Sequence, residues 1–172
     1  FGLDDIRRFN EMQGTEIPCF GSQDTLAVIR QAFDYIFVPT QEGGGKPKLH
    51  LAPVSGQFDA VGVPVIPIPV MHGEVNVFGY RIGDFAYITD CNNIPKNSMN
   101  LLQGLDVLVL GALRHQPHST HFTLTEAVEV ALDIKAKETY FVHMSHGLDH
   151  EETNQNLPPG IQLAYDGLII EL

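Results

Sequence analysis

The stretch Phe85-Ala-Tyr-Ile-Thr-Asp90 is a short apolar and β-branched run that ends abruptly in an acid, with Cys91-Asn92-Asn93 turning the chain directly after it. A carboxylate at the end of a buried strand is held by backbone on one side and points into open space on the other. That is how α/β folds present ligands. Two further apolar runs end in the same way: Val65 to Val70 runs out at Met71-His72, and Tyr140-Phe-Val142 ends at His143. Three metal-capable side chains on three strand ends are the main functional signal in the chain.

Outward from that stretch, the pattern on its N-terminal side is antiparallel. Val75 to Arg81, the turn Gly83-Asp84 and Phe85 to Thr89 read as a hairpin. Val65-Ile-Pro-Ile-Pro-Val70 alternates apolar residues with proline, which cannot donate to a ladder, so an edge strand or a bulge is expected there. On the C-terminal side the pattern alternates. Pro95 to Leu102 reads as a short helix, and Val107-Leu-Val-Leu110 as a buried strand. Gly111 to His121 reads as a loop, and Thr123-Leu-Thr-Glu126 as a capping box opening a helix through Ala127, Val130, Ala131 and Ile134. Thr139 to Val142 is the next strand, and Ile161 to Leu163 with Leu168 to Ile170 is expected to form a terminal hairpin on Asp166-Gly167.

Upstream, Leu3, Ile6, Phe9 and Met12 recur at helical spacing and predict an amphipathic first helix. Ile17 to Phe20 is a short strand, and Ser22 or Asp24 caps a second helix carrying Leu26, Val28, Ile29 and Phe33. Gln41 to Lys48 is glycine-rich but lacks the Gly-Lys-Ser/Thr ending of a phosphate-binding loop, so it is expected to be a mobile loop, able to act as a flap. The expected architecture is a mixed α/β sandwich, in a single domain over residues 1–172.

Composition narrows the function classes. The chain has 10 basic against 21 acidic residues, a net charge of -11, which repels polyanions and argues against nucleic-acid binding. A bound divalent metal would offset part of that charge locally. No apolar run approaches the roughly 18 residues of a spanning helix, so no membrane segment is expected. Cys19 and Cys91 lie far apart with no CxxC partner, which fits neither a zinc ribbon nor a disulfide framework and agrees with a reducing cytoplasm. The opening Phe1-Gly2-Leu3-Asp4-Asp5 has neither an initiator methionine nor a signal-peptide pattern, so the chain is read as a processed or truncated piece.

The eight histidines are unevenly placed. Apart from His50 and His72, they fall in two groups: His115, His118 and His121, then His143, His146 and His150. Histidine is the commonest metal ligand and the usual acid or base near neutral pH. The loop Arg114-His-Gln-Pro-His-Ser-Thr-His121 could bind an anion, or one of its histidines could protonate a leaving oxygen. The roles of His115, His118, His146 and His150 stay open at this point. No G-x-S-x-G elbow accompanies Ser119.

Taken together, Met71-His72-Gly73, Tyr87-Ile-Thr-Asp90, Pro117-His-Ser-Thr-His121, Phe141-Val-His143-Met-Ser-His146 and Tyr165-Asp-Gly-Leu168 resemble the metallo-β-lactamase superfamily. Within it the chain looks most like the branch containing phosphoribosyl cyclic phosphate phosphodiesterase, with tRNA 3′-processing endonucleases as cousins. The resemblance implies an αββα sandwich, incomplete at the N-terminus. Asp90 would bridge two metals, His72 would ligate the first and His143 the second, with His121 as the catalytic histidine. The family's HxHxDH motif is absent from this sequence. It normally precedes a helix resembling Phe1-Gly-Leu-Asp-Asp-Ile-Arg7, so the chain is expected to begin just past it.

The intact protein is thus expected to be a two-metal hydrolase, with zinc or manganese, acting on a small cyclic phosphate or phosphodiester. His121 would protonate the leaving alkoxide, and the chain alone would be inactive. A small phosphorylated substrate is the expected partner, with no nucleic acid or membrane, and a homodimer is admitted. The alternatives are a tRNA 3′-processing type of nuclease, for which Glu42 to Lys48 is too short an exo-site, and a non-catalytic binding domain.

Overall fold

The structure is a computed structural model and describes residues 2–39 and 45–172. Two compact units divide the chain, Phe1–Ser55 and Gly56–Leu172. In the first, a 3₁₀ turn (Gly2–Ile6) leads into α1 (Arg7–Gln13), followed by β1 (Ile17–Gly21), α2 (Gln23–Ala32), α3 (Asp34–Phe37) and β2 (Leu49–Pro53). β1 and β2 pair in parallel, from Ile17 opposite Leu49 to Gly21 opposite Pro53. Ser22 is the cap of α2, its hydroxyl accepting from the Thr25 N–H at 3.1 Å.

The first helix forms where its periodicity places it, but its apolar stripe is not its buried face. Phe9 is 53 % and Met12 71 % exposed, while Asn10 is 5 % exposed. The Asn10 amide explains the inversion. Its Nδ2 donates to the carbonyls of Thr15 and Lys48, and its Oδ1 accepts from the Lys48 N–H at 2.9 Å. A polar knot therefore fixes the helix against the segment entering β2. Of the glycine-rich stretch 41–48, residues 41–44 lie outside the described residues. Lys46 Nζ donates to the carbonyls of Val38 and Tyr35.

The second unit is built on a seven-stranded sheet in sequence order. The strands are β3 (Phe58–Ala60), β4 (Val63–His72), β5 (Val75–Ile82), β6 (Phe85–Ile88), β7 (Val107–Gly111), β8 (Glu138–Val142) and β9 (Ile161–Leu163). The helices are α4 (Lys96–Asn100), α5 (Leu124–Ile134) and α6 (His150–Asn156). Pairing is antiparallel from β3 to β6 and parallel from β6 to β9.

The prolines of β4 sit where the ladder tolerates them. β3 pairs only Val63 to Val65, so beyond Val65 β4 has a strand neighbour on one side, β5. Met71 turns its N–H away from β5, to the Asn93 carbonyl at 2.9 Å. By the two-residue period Pro67 and Pro69 face the same way, so their missing N–H removes nothing from the β4–β5 ladder. Ser98 covers that side by donating to the Pro69 carbonyl at 2.5 Å.

β7 is buried along its whole length, and its two faces feed two cores. Leu108 and Leu110 join Ile68, Val70, Ile88 and Phe141 under Ala127, Ala131 and Ile134 of α5. Val107 and Val109 join Tyr140 on the opposite face, with Leu168 and Ile170 packed against them. α5 starts on the expected capping box, in which Thr123 and Glu126 satisfy each other's backbone N–H groups. The expected terminal hairpin does not form. β9 pairs in parallel with β8 instead, Thr139 opposite Ile161, and the tail after Gly167 packs without a ladder. Among the described residues no helix is long and apolar enough to cross a membrane.

Candidate metal centre

Strand direction decides where the functional side chains meet. Two antiparallel steps bring β6 back parallel to β4, and β7 and β8 follow β6, so all four strands end at one edge of the sheet. His72 is the last residue of β4, Asp90 follows β6 and His143 follows β8. β7 leads into the loop that carries His118 and His121. Alternate strands are about 10 Å apart, a span that inward-turned histidine side chains can close.

They do close it. His121 Nε2 lies 3.2 Å and His143 Nε2 3.4 Å from the same oxygen, Asp90 Oδ1. The His121 ring stacks on His143 with centroids 4.9 Å apart and meets His72 edge-on at 4.8 Å. His72, Asp90 and His121 each offer a ligand atom, all within 4.8 Å of one another. The structure thus gathers all four residues singled out in the sequence. The His121 side chain is 14 % exposed against 48 % for Asp90 and 40 % for His143, so the cluster is closed behind His121 and open over the other two.

His118 is a fifth member. The Thr120 N–H donates to His118 Nδ1 at 3.3 Å, which assigns that nitrogen as an acceptor. His121 Nδ1 lies 3.1 Å from the same atom and 2.8 Å from Thr120 Oγ1. His121 Nδ1 is therefore placed to donate to His118, while its Nε2 faces Asp90 Oδ1. An imidazole nitrogen and a carboxylate oxygen at that distance need a proton or a cation between or beside them. The donor set thus fits a divalent metal.

Electrostatics agree. Burial raises the Asp90 carboxyl, but hydrogen bonds from His121 and Thr89 and the nearby charge of His143 and His121 outweigh it and hold the group below its ordinary range. Desolvation first, then the charge of His121, Arg114 and His72, lowers the His118 pKa, the same direction as the acceptor role its Nδ1 takes toward the Thr120 N–H. Burial, with Asp90 next to it, pushes the Cys91 thiol up to about 12, so Cys91 is core rather than ligand.

The frame around the cluster is hydrogen-bonded through Asn92, a residue that no sequence motif singles out. Its Oδ1 accepts from the Gly73 N–H at 2.9 Å, and its Nδ2 donates to the Ser119 carbonyl at 3.0 Å. The Phe122 N–H donates to the Cys91 carbonyl at 2.9 Å. The segment after Asp90 thereby ties the end of β4 to the histidine loop. The other histidines stand apart from these contacts. His115 and His146 are exposed, His50 lies in β2, and His150 opens α6 with Nε2 3.2 Å from the Ala164 carbonyl.

Residues 1–144 match the family model of the beta-lactamase superfamily domain. The chain belongs to the metallo-β-lactamase superfamily. A crystal structure of a diphosphatase from the PhnP family is 45 % identical with a TM-score of 0.87, covering 98 % of this chain and 64 % of that one. Zinc-bound PqqB from Methylobacterium extorquens shares the metallo-β-lactamase fold at 17 % identity and a TM-score of 0.70, over 97 % of this chain and 68 % of that one. An octanoyltransferase of Porphyromonas gingivalis (strain ATCC BAA-308 / W83) is 32 % identical over 171 residues, 97 % of this chain and 34 % of that protein. The chain therefore spans about a third of the curated relative.

Proposed function

We propose that the chain supplies residues of the site of a metal-dependent phosphodiesterase acting on a small, including cyclic, phosphate ester. The observation that carries this reading is the convergence of His121 and His143 on one oxygen of Asp90 at a common sheet edge. The 45 % identical diphosphatase supports the phosphate chemistry. His72, Asp90 and His143 would hold divalent metal. The metal, when bound, supplies Lewis acidity toward phosphoryl oxygens and lowers the pKa of water. Zinc and manganese both suit imidazole and carboxylate donors.

The chain's own residues then divide the work. Asp90, held ionised, contributes charge without a proton. His118 and Thr120 fix the Nδ1–H of His121, so that a proton carried on Nε2 is the one available to the substrate. In hydrolysis a P–O bond to the alcohol breaks as water adds to phosphorus. His121 protonates the departing oxygen, and the proton lost by the water restores the balance.

The test uses the full-length protein, its metal content and its turnover of a cyclic phosphate and of bis-p-nitrophenyl phosphate. His121→Ala is expected to keep the metal and to lower turnover by about 10²-fold or more, the usual scale for a general acid. Because His121 also lies in the ligand-capable triplet, loss of metal together with activity would make it a ligand instead. Less than one equivalent of divalent metal in the wild type would end the two-metal reading.

A further inference from the structure

A cavity of about 220 Å³ opens in the second unit beside the loops that carry His121 and His143. It is lined by His115 from the first loop, Leu124 at the start of α5, and Asp149, Glu152, Thr153 and Leu157 of α6 and its flanks. The two loops are joined where the Ser145 N–H donates to the Leu113 carbonyl at 2.8 Å. The cavity therefore shares its walls with the loops of the metal centre.

Thr153 distinguishes this cavity from a chance group of surface acids. The residue is 7 % exposed, and its hydroxyl makes no hydrogen bond among the described residues. No sealed-off side-chain oxygen or nitrogen among them lacks a partner. The Thr153 hydroxyl is therefore not enclosed in protein, and Thr153 is one of the residues that line the cavity. One Asp149 oxygen caps α6 by accepting from the Glu152 N–H at 2.9 Å. The Glu152 carboxylate has no ion-pair partner among the described residues.

The lining chemistry selects its occupant. Carboxylates accept hydrogen bonds and never donate them, and two of them repel phosphate. Leu124 and Leu157 offer aliphatic surface to methylene groups. His115 and Asn156, also in the lining, can donate or accept; what suits the carboxylates, the hydroxyl and the two leucines together is a short alkyl chain ending in a cationic donor. Resting on the phosphodiesterase reading, we infer that this cavity is a subsite for the ammonium-bearing end of an aminoalkyl phosphodiester, whose phosphate lies at the metal centre.

The experiment compares 4-nitrophenyl ω-aminoalkyl phosphodiesters of two to six carbons with their ω-hydroxyalkyl counterparts, on the full-length, metal-loaded protein. At the chain lengths that reach the cavity, kcat/KM for the amine is expected to exceed that for the alcohol by about tenfold, the scale of one charge-assisted hydrogen bond. Glu152→Gln and Thr153→Val should each bring that ratio toward one. Equal values at every length, or a preference for the alcohol, would overturn the subsite and leave the hydrolase reading standing.

If neither series is hydrolysed, the hydrolase reading falls instead, and binding decides the subsite. In metal-free protein, hexylammonium chloride should shift the methyl NMR signals of Leu124, Thr153 and Leu157, and 1-hexanol should not. Equal shifts would refute the assignment.

Discussion

Gly73→Ala is the sharpest probe of how the metal centre is framed. Gly73 follows His72 with φ of 64°, and a Cβ built on it would lie 2.9 Å from Thr120 Cγ2. The left-handed backbone costs a residue with a Cβ roughly 1–2 kcal/mol. Overpacking against a branched side chain adds about 1–2 kcal/mol. Thr120 cannot yield freely, because rotating it moves its hydroxyl off His121 Nδ1, 2.8 Å away. The expected loss is about 2–4 kcal/mol, or roughly 4–16 °C in Tm for a protein of this size, with weaker metal retention. Thr120→Ser removes Cγ2 and keeps the hydroxyl, so Gly73→Ala in that background should lose only the backbone part. Thermal and denaturant unfolding of the four proteins forms a double-mutant cycle. Coupling within about 0.3 kcal/mol of zero would mean the two residues do not press on each other, and the account of the frame would be wrong.

Two further outcomes follow from neighbouring residues. Asn92→Ala removes the acceptor of the Gly73 N–H and the donor to the Ser119 carbonyl, and should destabilise by about 1–3 kcal/mol; isothermal titration should show weaker metal binding, and unchanged affinity would count against the clamp. The Cys91 thiol, up at about 12 in the fold against 9.0 ordinarily, stays protonated while an unfolded chain would ionise, so its stabilisation is complete below about pH 9 and is lost as pH rises toward 12. Native protein treated with iodoacetamide at pH 8.5 should keep Cys91 unmodified by mass spectrometry, and alkylation at the unfolded rate would show that the site is open.

The parts of the fold legible in sequence were those where one local pattern implies one environment. Gly83-Asp84 between two β-rich runs, the Thr123–Glu126 box and the unbroken Val107 to Leu110 run each appear as read. What escaped the reading was set by distant partners. α6 has the sequence HEETNQN, with no apolar period to detect. It is held by the Asp149 cap and by Asn154 Oδ1, which accepts from the Leu163 N–H at 2.7 Å. Leu168 and Ile170 carry a strand's apolar alternation but bury against Val107 and Tyr140 without strand partners. His72, Asp90 and His143 were visible because an acid or imidazole ending an apolar run is unusual. Asn92 and Thr120 were not, because their contribution is a hydrogen bond to backbone or ring atoms far along the chain.

A single backbone device recurs at the site and explains how a flat edge yields a convergent cluster. Side chains alternate across a sheet, so residues at the ends of β4, β6 and β8 would by default point to one face or the other and stay a strand pair apart. Each of these ends instead uses a left-handed residue: Gly73 at φ 64° directly after His72, Asp90 itself at 53° and His143 itself at 63°. At β4 a glycine takes the turn at no steric cost, leaving His72 in the ladder opposite Val75. At Asp90 and His143 the functional residue takes it, at about 1–2 kcal/mol each. The fold keeps that strain because turning the two residues out of the sheet's alternation lets a carboxylate and an imidazole from strands two apart meet at 3.4 Å. Positive φ in residues other than glycine occurs at only two further described positions, Val61 and Lys135. Lys135 ends α5 and Val61 sits in the turn between β3 and β4, where left-handed residues are ordinary. Strain of this kind concentrates where a site is being held, and here it falls on the two residues that contact each other across the sheet edge.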